Sequence, residues 1–469
     1  MKMYIGGEWV DRETKIEVLN PFDQSVVDTI PSANASDVEA AITSAERGAV
    51  VMANMPAYER YKILHRAAEL MTDRIDDLGR TITLEEGKVL SEGLGEAARA
   101  QETIELAAEE AKRLTGETLD LSGASNGAGK FGFTLRVPCG VVAAITPFNF
   151  PLNLVCHKVG PALAAGNSIV IKPATDTPLS SLKLVEILLE AGVPSEAIQC
   201  VTGPGGVIGD AISSDSRVRK ISFTGSRDIG EHICQKAGLK KVTMELGSNA
   251  PLIVMADADL EKVAAATATT GFANAGQVCI SAQRIMVNDA IYNDFLEVLK
   301  PTVEAITTGN PLDSETKMGP MIRDSDAERV NAWITDAVSG GANLITGGTR
   351  EGTLHAPTIV ADVDPAMRIS CDEIFGPAVA VSRFDDIDSA IAQANDTNYG
   401  LSAAIFTENI NWAVQYAQQV NSGNIHINWG TQWRADLMPY GGLKDSGMGK
   451  EGPKYAVEEM TETKMVVIH

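Results

Sequence analysis

The sequence predicts an α/β protein built on a parallel sheet with helices on both faces. Two observations carry that expectation. From Val141 onward, short apolar runs of strand length alternate with helical stretches, and turn residues punctuate the joins. Repeated β-α-β spacing of this kind fits a parallel sheet better than an antiparallel one. The 469 residues are also enough for two or three domains with large cores.

The first hundred residues read as a short β entry followed by helices. Residues 37–53 and 59–78 carry apolar side chains at helical spacing, and 92–114 continues as a charged amphipathic helix. Loop chemistry at 122–129 precedes an alternating segment, 131–137, expected to be a strand projecting from the body. Residues 141–145 then read as a buried strand, 152–165 as a helix and 168–171 as a strand. The helix 180–191 is stopped by Gly192 and Pro194. Further strands are expected at 198–201, 220–223 and 242–246. A second α/β stretch, about 251–427, contains strands at 252–255, 285–287 and 378–381, and the tail 458–469 ends in another. No internal repeat or low-complexity segment is visible.

Composition excludes several classes of partner. With 62 acidic against 39 basic residues the formal charge is −23, a surface that repels nucleic acid and anionic membranes. No run approaches the ~20 apolar residues of a membrane helix, and the first residues lack a signal-peptide core. Six cysteines at 139, 156, 200, 234, 279 and 371 contain no Cys-x-x-Cys pair. That pattern predicts reduced thiols in a cytoplasmic protein. The six histidines form no ligand cluster with them, so no metal site is expected.

Cys279 stands apart from the other five. It lies in Gly276-Gln277-Val278-Cys279, a Gly-flanked turn after a small-residue helix at 264–275, where a side chain can reach a ligand. An isolated cysteine is more often core filler, and an attacking thiol needs a base or a lowered pKa. No neighbouring histidine supplies one. Glu245, ending the strand 242–246 before a Gly-rich turn, stands at the sheet edge where active sites gather. Read alone, it also fits a capping or ion-paired glutamate. Asn149, in Thr146-Pro147-Phe148-Asn149-Phe150-Pro151, can aim an amide at a developing oxyanion, or simply start an Asx turn. Lys172, in Lys172-Pro173-Ala174, places an ammonium where a ribose or phosphate would lie. Phe223-Thr224-Gly225-Ser226 leads into a helix N-terminus suited to an anion, although a plain tight turn explains Gly225 equally well.

Together with Glu373-Ile374-Phe375-Gly376-Pro377 and Pro439-Tyr440-Gly441-Gly442-Leu443-Lys444, these phrases resemble, in order, the signatures of the NAD(P)-dependent aldehyde dehydrogenase superfamily. The resemblance runs from about Ile5 to Val466. It implies a Rossmann-like cofactor domain (1–120 and 140–246), an α/β catalytic domain (247–445) and a small β oligomerisation arm (121–139 and 446–469), and therefore a homodimer or homotetramer. It further implies that Cys279 is the nucleophile, that Asn149 and the Cys279 backbone N–H hold the oxyanion, and that Glu245 activates the water that hydrolyses the thioester. Stabilising that oxyanion by ~3 kcal/mol is worth about a hundredfold in rate. A coenzyme A-acylating relative typically lacks the glutamate, so Glu245 favours water as acyl acceptor.

The same resemblance implies NADP or NAD as cofactor. Lys172 and Glu373 would bind its two riboses, Ser226 the pyrophosphate, and Phe375 would pack near the nicotinamide. Ile145, Thr146, Pro147, Phe148, Thr175, Gly206, Phe223, Gly225 and Leu246 complete the expected cofactor set. NAD-strict members often carry a glutamate three residues after the lysine. Thr175 in that place leaves room for a 2′-phosphate, so NADP is expected to be accepted.

For the substrate, Arg99, Arg434 and His157 are expected at the tunnel, with His157 about two helical turns beyond Asn149. Arginines there suit a carboxylate, sulfonate, phosphonate or phosphate, and the other reading makes both of them surface salt-bridge partners. The non-phosphorylating glyceraldehyde-3-phosphate branch has an arginine immediately before the nucleophile. Val278 in that place counts against a phosphosugar. The expected substrate is a short polar or anionic aldehyde of the lactaldehyde, semialdehyde, sulfo- or phosphono-aldehyde type. Two other classes remain open on the sequence, a cofactor-free thiol hydrolase and a non-catalytic binding relative.

Overall fold

A computed structural model describes residues 1–469. Two sheets dominate it. The first has eight strands in the order Glu8–Val10, Met3–Ile5, Ile198–Cys200, Ser168–Lys172, Val141–Ile145, Val218–Thr224, Lys241–Glu245 and Gly447–Met448. The five central strands are parallel, and antiparallel pairs close both edges. Because side chains alternate along a strand, Val141–Ile145 feeds two cores. Val142 and Ala144 join one of 41 buried residues, while Val141, Ala143 and Ile145 join another of 21 on the opposite face. Burial on both faces is why these strands read as continuous apolar runs.

The second sheet has seven strands: Asn343–Thr346, Thr358–Ala361, Ala378–Phe384, Ala282–Asn288, Ala250–Val254, Ser402–Phe406 and Asn424–Ile427. Only the first of these runs antiparallel to its neighbour. It likewise separates Leu252 and Val254 from Ile253, giving cores of 34 and 11 buried residues. Two sheets with separate cores are two α/β bodies.

A third sheet joins Thr461–Ile468, Phe131–Pro138 and Thr118–Leu119 in antiparallel register. Phe131, Leu135, Met465 and Ile468 lie exposed on it. Residues 446–460, expected in this arm, run elsewhere first. Gly447–Met448 pairs with Met244 and Glu245 at the edge of the eight-stranded sheet, and helix Pro453–Glu459 packs on helices Leu90–Arg113 and Asn153–Ala164. The expected helix over 59–78 is two helices, Ala57–Thr72 and Ile75–Glu86, broken at Asp73–Arg74. No helix is long and apolar enough to cross a membrane.

The order of the parallel strands fixes where a ligand can lie. Successive crossovers go one way from Val141–Ile145, to Ser168–Lys172 and Ile198–Cys200. They then go the other way, to Val218–Thr224 and Lys241–Glu245. The adjacent pair Val141–Ile145 and Val218–Thr224 is therefore a topological switch point, and a crevice opens beyond its carboxyl ends.

Candidate active site

That crevice is a cavity of about 720 Å³ between the two bodies. The first body contributes Pro147, Phe148, Asn149, Thr224, Gly225, Ser226, Glu245, Leu246 and Gly247, and the second contributes Cys279, Arg329, Trp333, Glu373 and Phe375. All three residues expected to carry the chemistry thus face one space.

Cys279 owes its place to a strained turn. Helix Leu260–Phe272 ends, and Asn274, Ala275 and Gly276 follow at φ 49°, 51° and 70°. Left-handed backbone at two non-glycine residues is held by surrounding structure. Asn274 Nδ2 donates to Glu86 Oε1 at 2.8 Å, and Ile322 N donates to Gln277 Oε1 at 2.9 Å. A Cβ on Gly276 would collide with the Gly376 carbonyl. The Cys279 sulfur contacts the Tyr440 hydroxyl at 3.3 Å. Burial pushes its thiol up to about 12, with Glu373 and Glu245 adding to the rise while Tyr440 and Arg434 oppose it. By contrast Cys156 and Cys200 are enclosed in the core.

Asn149 Nδ2 donates to the Gln277 carbonyl at 2.8 Å. An amide has two N–H groups, so one holds the side chain against the Cys279 turn and the second remains for a ligand. The Asn149 backbone carbonyl accepts from Lys88 Nζ at 2.7 Å, and Lys88 is in turn paired with Glu96 at 2.7 Å, all buried.

Both oxygens of Glu245 are buried without a hydrogen-bond partner. Burial and the neighbouring Glu451 push its pKa well up, against Arg434, Lys158 and Lys450. Glu451 goes the other way. Burial would raise it, but Lys158 and Arg434 outweigh burial and hold it low. Lys158 Nζ reaches Glu451 at 2.6 Å and Thr224 at 2.7 Å. A buried carboxyl with no partner is costly, and its retention here points to a group that enters and pairs with it.

The expected substrate residues converge on one carboxylate. Asp436 accepts two bonds from Arg99, at 3.0 and 2.8 Å, and one from His157 Nε2 at 2.8 Å. His157 Nδ1 lies 3.2 Å from Arg434 Nη2. Guanidinium only donates, so Nδ1 must be the acceptor and the proton sits on Nε2. Burial first, and Arg434 second, bring the His157 pKa down to about 4. Arg434 also donates to Glu451 at 3.2 Å and lies 4.0 Å over the Tyr440 ring, and its buried Nε makes no hydrogen bond, with Asp436 Oδ1 3.9 Å away. It is no surface arginine. Arg99, in contrast, is half-exposed.

The residues fit a dinucleotide. Glu373 is half-buried with one bond, from Ser248 N at 2.8 Å, and loss of hydration lifts its pKa to about 7. Its other oxygen lies so near Gly247 that a Cβ there would strike it. Ser226 starts helix Arg227–Ala237 without capping it, which leaves the N-terminal N–H groups for an anion. Phe223 packs so closely under Gly225 that any side chain there would meet its ring, and Leu246 does the same under Gly230. Phe148 and Phe375 meet edge to face at 5.9 Å, with Phe375 at φ 46°. Ile145 and Thr146 lie buried at the end of their strand, and Thr146 Oγ1 has no partner.

Lys172, Thr175 and Gly206 are outside the cavity walls, as are Ile145, Thr146 and Phe223 of the expected cofactor set and all three expected substrate residues, Arg99, His157 and Arg434. Lys172 is buried with only the Pro173 carbonyl as acceptor, and burial lowers its pKa to about 8. Thr175 donates to the Gly203 carbonyl at 3.0 Å. A Cβ on Gly206 would meet nothing within 4 Å. A cationic amine lacking a carboxylate beside an open helix face suits the far half of a dinucleotide. No group of three or more His, Cys, Asp or Glu side chains converges as a metal site.

Sequence reasoning left Tyr440, Glu451, Lys158 and Asp436 unassigned. Tyr440 stands inside a phrase that was visible, but its partner lies 161 residues away.

A doubly wound sheet, a switch-point crevice and a thiol facing a free carboxyl define an enzyme that works on a ligand held between two α/β bodies. The aldehyde dehydrogenase family model matches residues 9–466, and the chain belongs to that family. A 3-sulfolactaldehyde dehydrogenase from Priestia aryabhattai is 46% identical over 467 residues, covering 100% of this chain and 98% of the relative. An NADP-dependent enzyme from E. coli superposes with TM-score 0.97 at 39% identity, covering 100% and 98% of the two chains. So does aldehyde dehydrogenase 21 from Physcomitrella patens, solved with the reaction product succinate, at TM-score 0.97 and 37% identity over the same shares.

Proposed function

We propose that this aldehyde dehydrogenase oxidises a short anionic aldehyde to its acid through a thioester on Cys279. The observation that carries the reading is the single cavity that holds Cys279, Asn149 and Glu245, with both Glu245 oxygens free. NADP or NAD is the cofactor. Lys172 and Glu373 would hold its riboses and the Ser226 helix end its pyrophosphate, and when bound it supplies the hydride acceptor.

The Cys279 sulfur attacks the aldehyde carbon and leaves a tetrahedral oxyanion. The second Asn149 N–H and the Cys279 backbone N–H receive it. After oxidation the carbon is a thioester. Glu245 then takes a proton from water as the water attacks that carbon, the thiolate leaves, and the acid is released. Water entering the cavity also relieves the burial that keeps Glu245 protonated. The nucleophile and the condition for its activation thus arrive together.

Arg434 supports an anionic substrate as a buried, permanently charged group whose Nε makes no hydrogen bond, with Asp436 Oδ1 3.9 Å from that nitrogen. The sulfonate in the name of the Priestia relative and the succinate in the moss enzyme have matching charge. Thr175, uncharged and tied to Gly203, supports acceptance of NADP. The arm's exposed apolar residues support a homodimer or homotetramer.

Absorbance at 340 nm tests the reading, with wild type beside Cys279→Ala, both cofactors, and succinate semialdehyde, sulfoacetaldehyde, lactaldehyde and hexanal. Reduced cofactor from wild type alone, with anionic aldehydes at least about tenfold ahead of hexanal in kcat/KM, is the expected outcome. Hexanal matching them removes the anionic assignment, and activity with NAD alone removes the NADP assignment.

A further inference from the structure

We propose that the Tyr440 hydroxyl is the hydrogen-bond donor that holds the Cys279 sulfur as a thiolate, with Arg434 seated on the phenol ring to make it a better donor. The inference rests on Cys279 being the nucleophile.

Tyr440 is the one side chain that hydrogen-bonds the sulfur, at 3.3 Å. A thiolate has no proton to give, so in that state the phenol must be the donor. Its position leaves little freedom. Tyr440 is buried, and its backbone exchanges two hydrogen bonds with Glu451, N to O at 3.1 Å and O to N at 2.7 Å. Glu451 anchors Arg434 through Nη1 at 3.2 Å, and the Arg434 guanidinium lies 4.0 Å over the Tyr440 ring. One backbone bridge therefore sets both the phenol and the cation that polarises it.

The electrostatics make such a donor necessary. No lysine or histidine touches the sulfur, and Arg434 meets it only through the ring. Burial, Glu373 and Glu245 all oppose ionisation, and Tyr440 is the largest influence in favour, ahead of Arg434. On ionisation the thiol proton passes to solvent water and Tyr440 keeps its own. The charge then sits on the sulfur, ready to attack.

The test is the pH dependence of Cys279 alkylation by iodoacetamide in the free enzyme, followed by the mass of the Cys279 peptide and by residual activity. Tyr440→Phe keeps the ring and the Arg434 contact and removes only the donor. A charge-assisted bond of this kind should move the midpoint of alkylation up by about one to two pH units. Alkylation at pH 7 should slow by about 10- to 100-fold, while the high-pH plateau and cofactor binding by fluorescence titration are kept. An unmoved or lowered midpoint overturns the proposal.

Replacing tyrosine with 3-fluorotyrosine gives a second reading without loss of packing, should the variant fold poorly. The more acidic phenol should lower the midpoint, and no change or a rise overturns the assignment. If instead alkylation of Cys279 leaves activity intact, the nucleophile reading itself fails, independently of Tyr440.

Discussion

His157 makes a prediction whose size follows from its surroundings. It is buried between Asp436, which accepts its Nε2 proton, and Arg434, which donates to Nδ1. Protonating Nδ1 would place N–H against N–H and a second positive charge beside guanidinium. Folding therefore brings its pKa from the ordinary 6.5 down to about 4. At about 1.4 kcal/mol per pH unit the full linkage is about 3 kcal/mol. The sign follows from proton binding. Below 6.5 the unfolded chain takes up a proton that the folded chain refuses, so this stability is present above pH 6.5. It is lost as pH falls toward 4. Between pH 7 and pH 5 the loss is about 2 kcal/mol. The assay is the melting temperature of wild type and His157→Gln at several pH values, since glutamine keeps a donor to Asp436 and does not titrate. With an unfolding entropy of about 1 kcal/mol/K for a chain of this length, wild type should lose about 2 °C more than the variant over that interval. Equal losses would refute the neutral, Nε2-protonated histidine.

Three further outcomes are expected. Glu245→Gln should leave acylation largely intact and slow hydrolysis by about 10²- to 10⁴-fold, so stopped-flow absorbance should show a burst of one reduced cofactor per Cys279. Absence of a burst would take the water step away from Glu245. Gly276→Ala would place a Cβ against the Gly376 carbonyl at a backbone φ of 70°. It should cost about 1–2 kcal/mol in the turn from φ alone and lower kcat far more than it lowers cofactor affinity; wild-type kcat would show that the turn tolerates the change. Sedimentation should find a multiple of the 49.7 kDa chain mass, and a single-chain species at micromolar concentration would remove the role proposed for the arm.

The sheets were legible because burial on both faces leaves a signature in consecutive residues, as at 141–145 and 168–172. The break at Asp73–Arg74 was not, because neither residue is a proline or glycine and the helical pattern runs on through them. Nor was the antiparallel seat of Met3–Ile5 beside Cys200, which depends on pairing across nearly two hundred residues. In the site, Cys279 and Asn149 announced themselves by unusual neighbours in sequence. Asp436 did not. Its importance lies in gathering Arg99, Asn153 and His157 from 279 to 337 residues away, and nothing local marks an aspartate for that task. Arg434 was placed at the tunnel by resemblance, but its burial against Tyr440 and Glu451 is purely tertiary.

The route of the last twenty-odd residues links the sheet edge at Glu245 to the arm. Gly447 is bonded edge-on to Glu245, and the same stretch of chain runs on through one short helix into the arm strand Thr461–Ile468. The carboxyl proposed to activate water thus shares a backbone seam with the part of the molecule that reaches outward. Anything that loosens the arm's grip should be felt at Glu245 before it is felt at Cys279, which hangs from the other body. A weakened assembly would then still acylate, and would stall with its product attached.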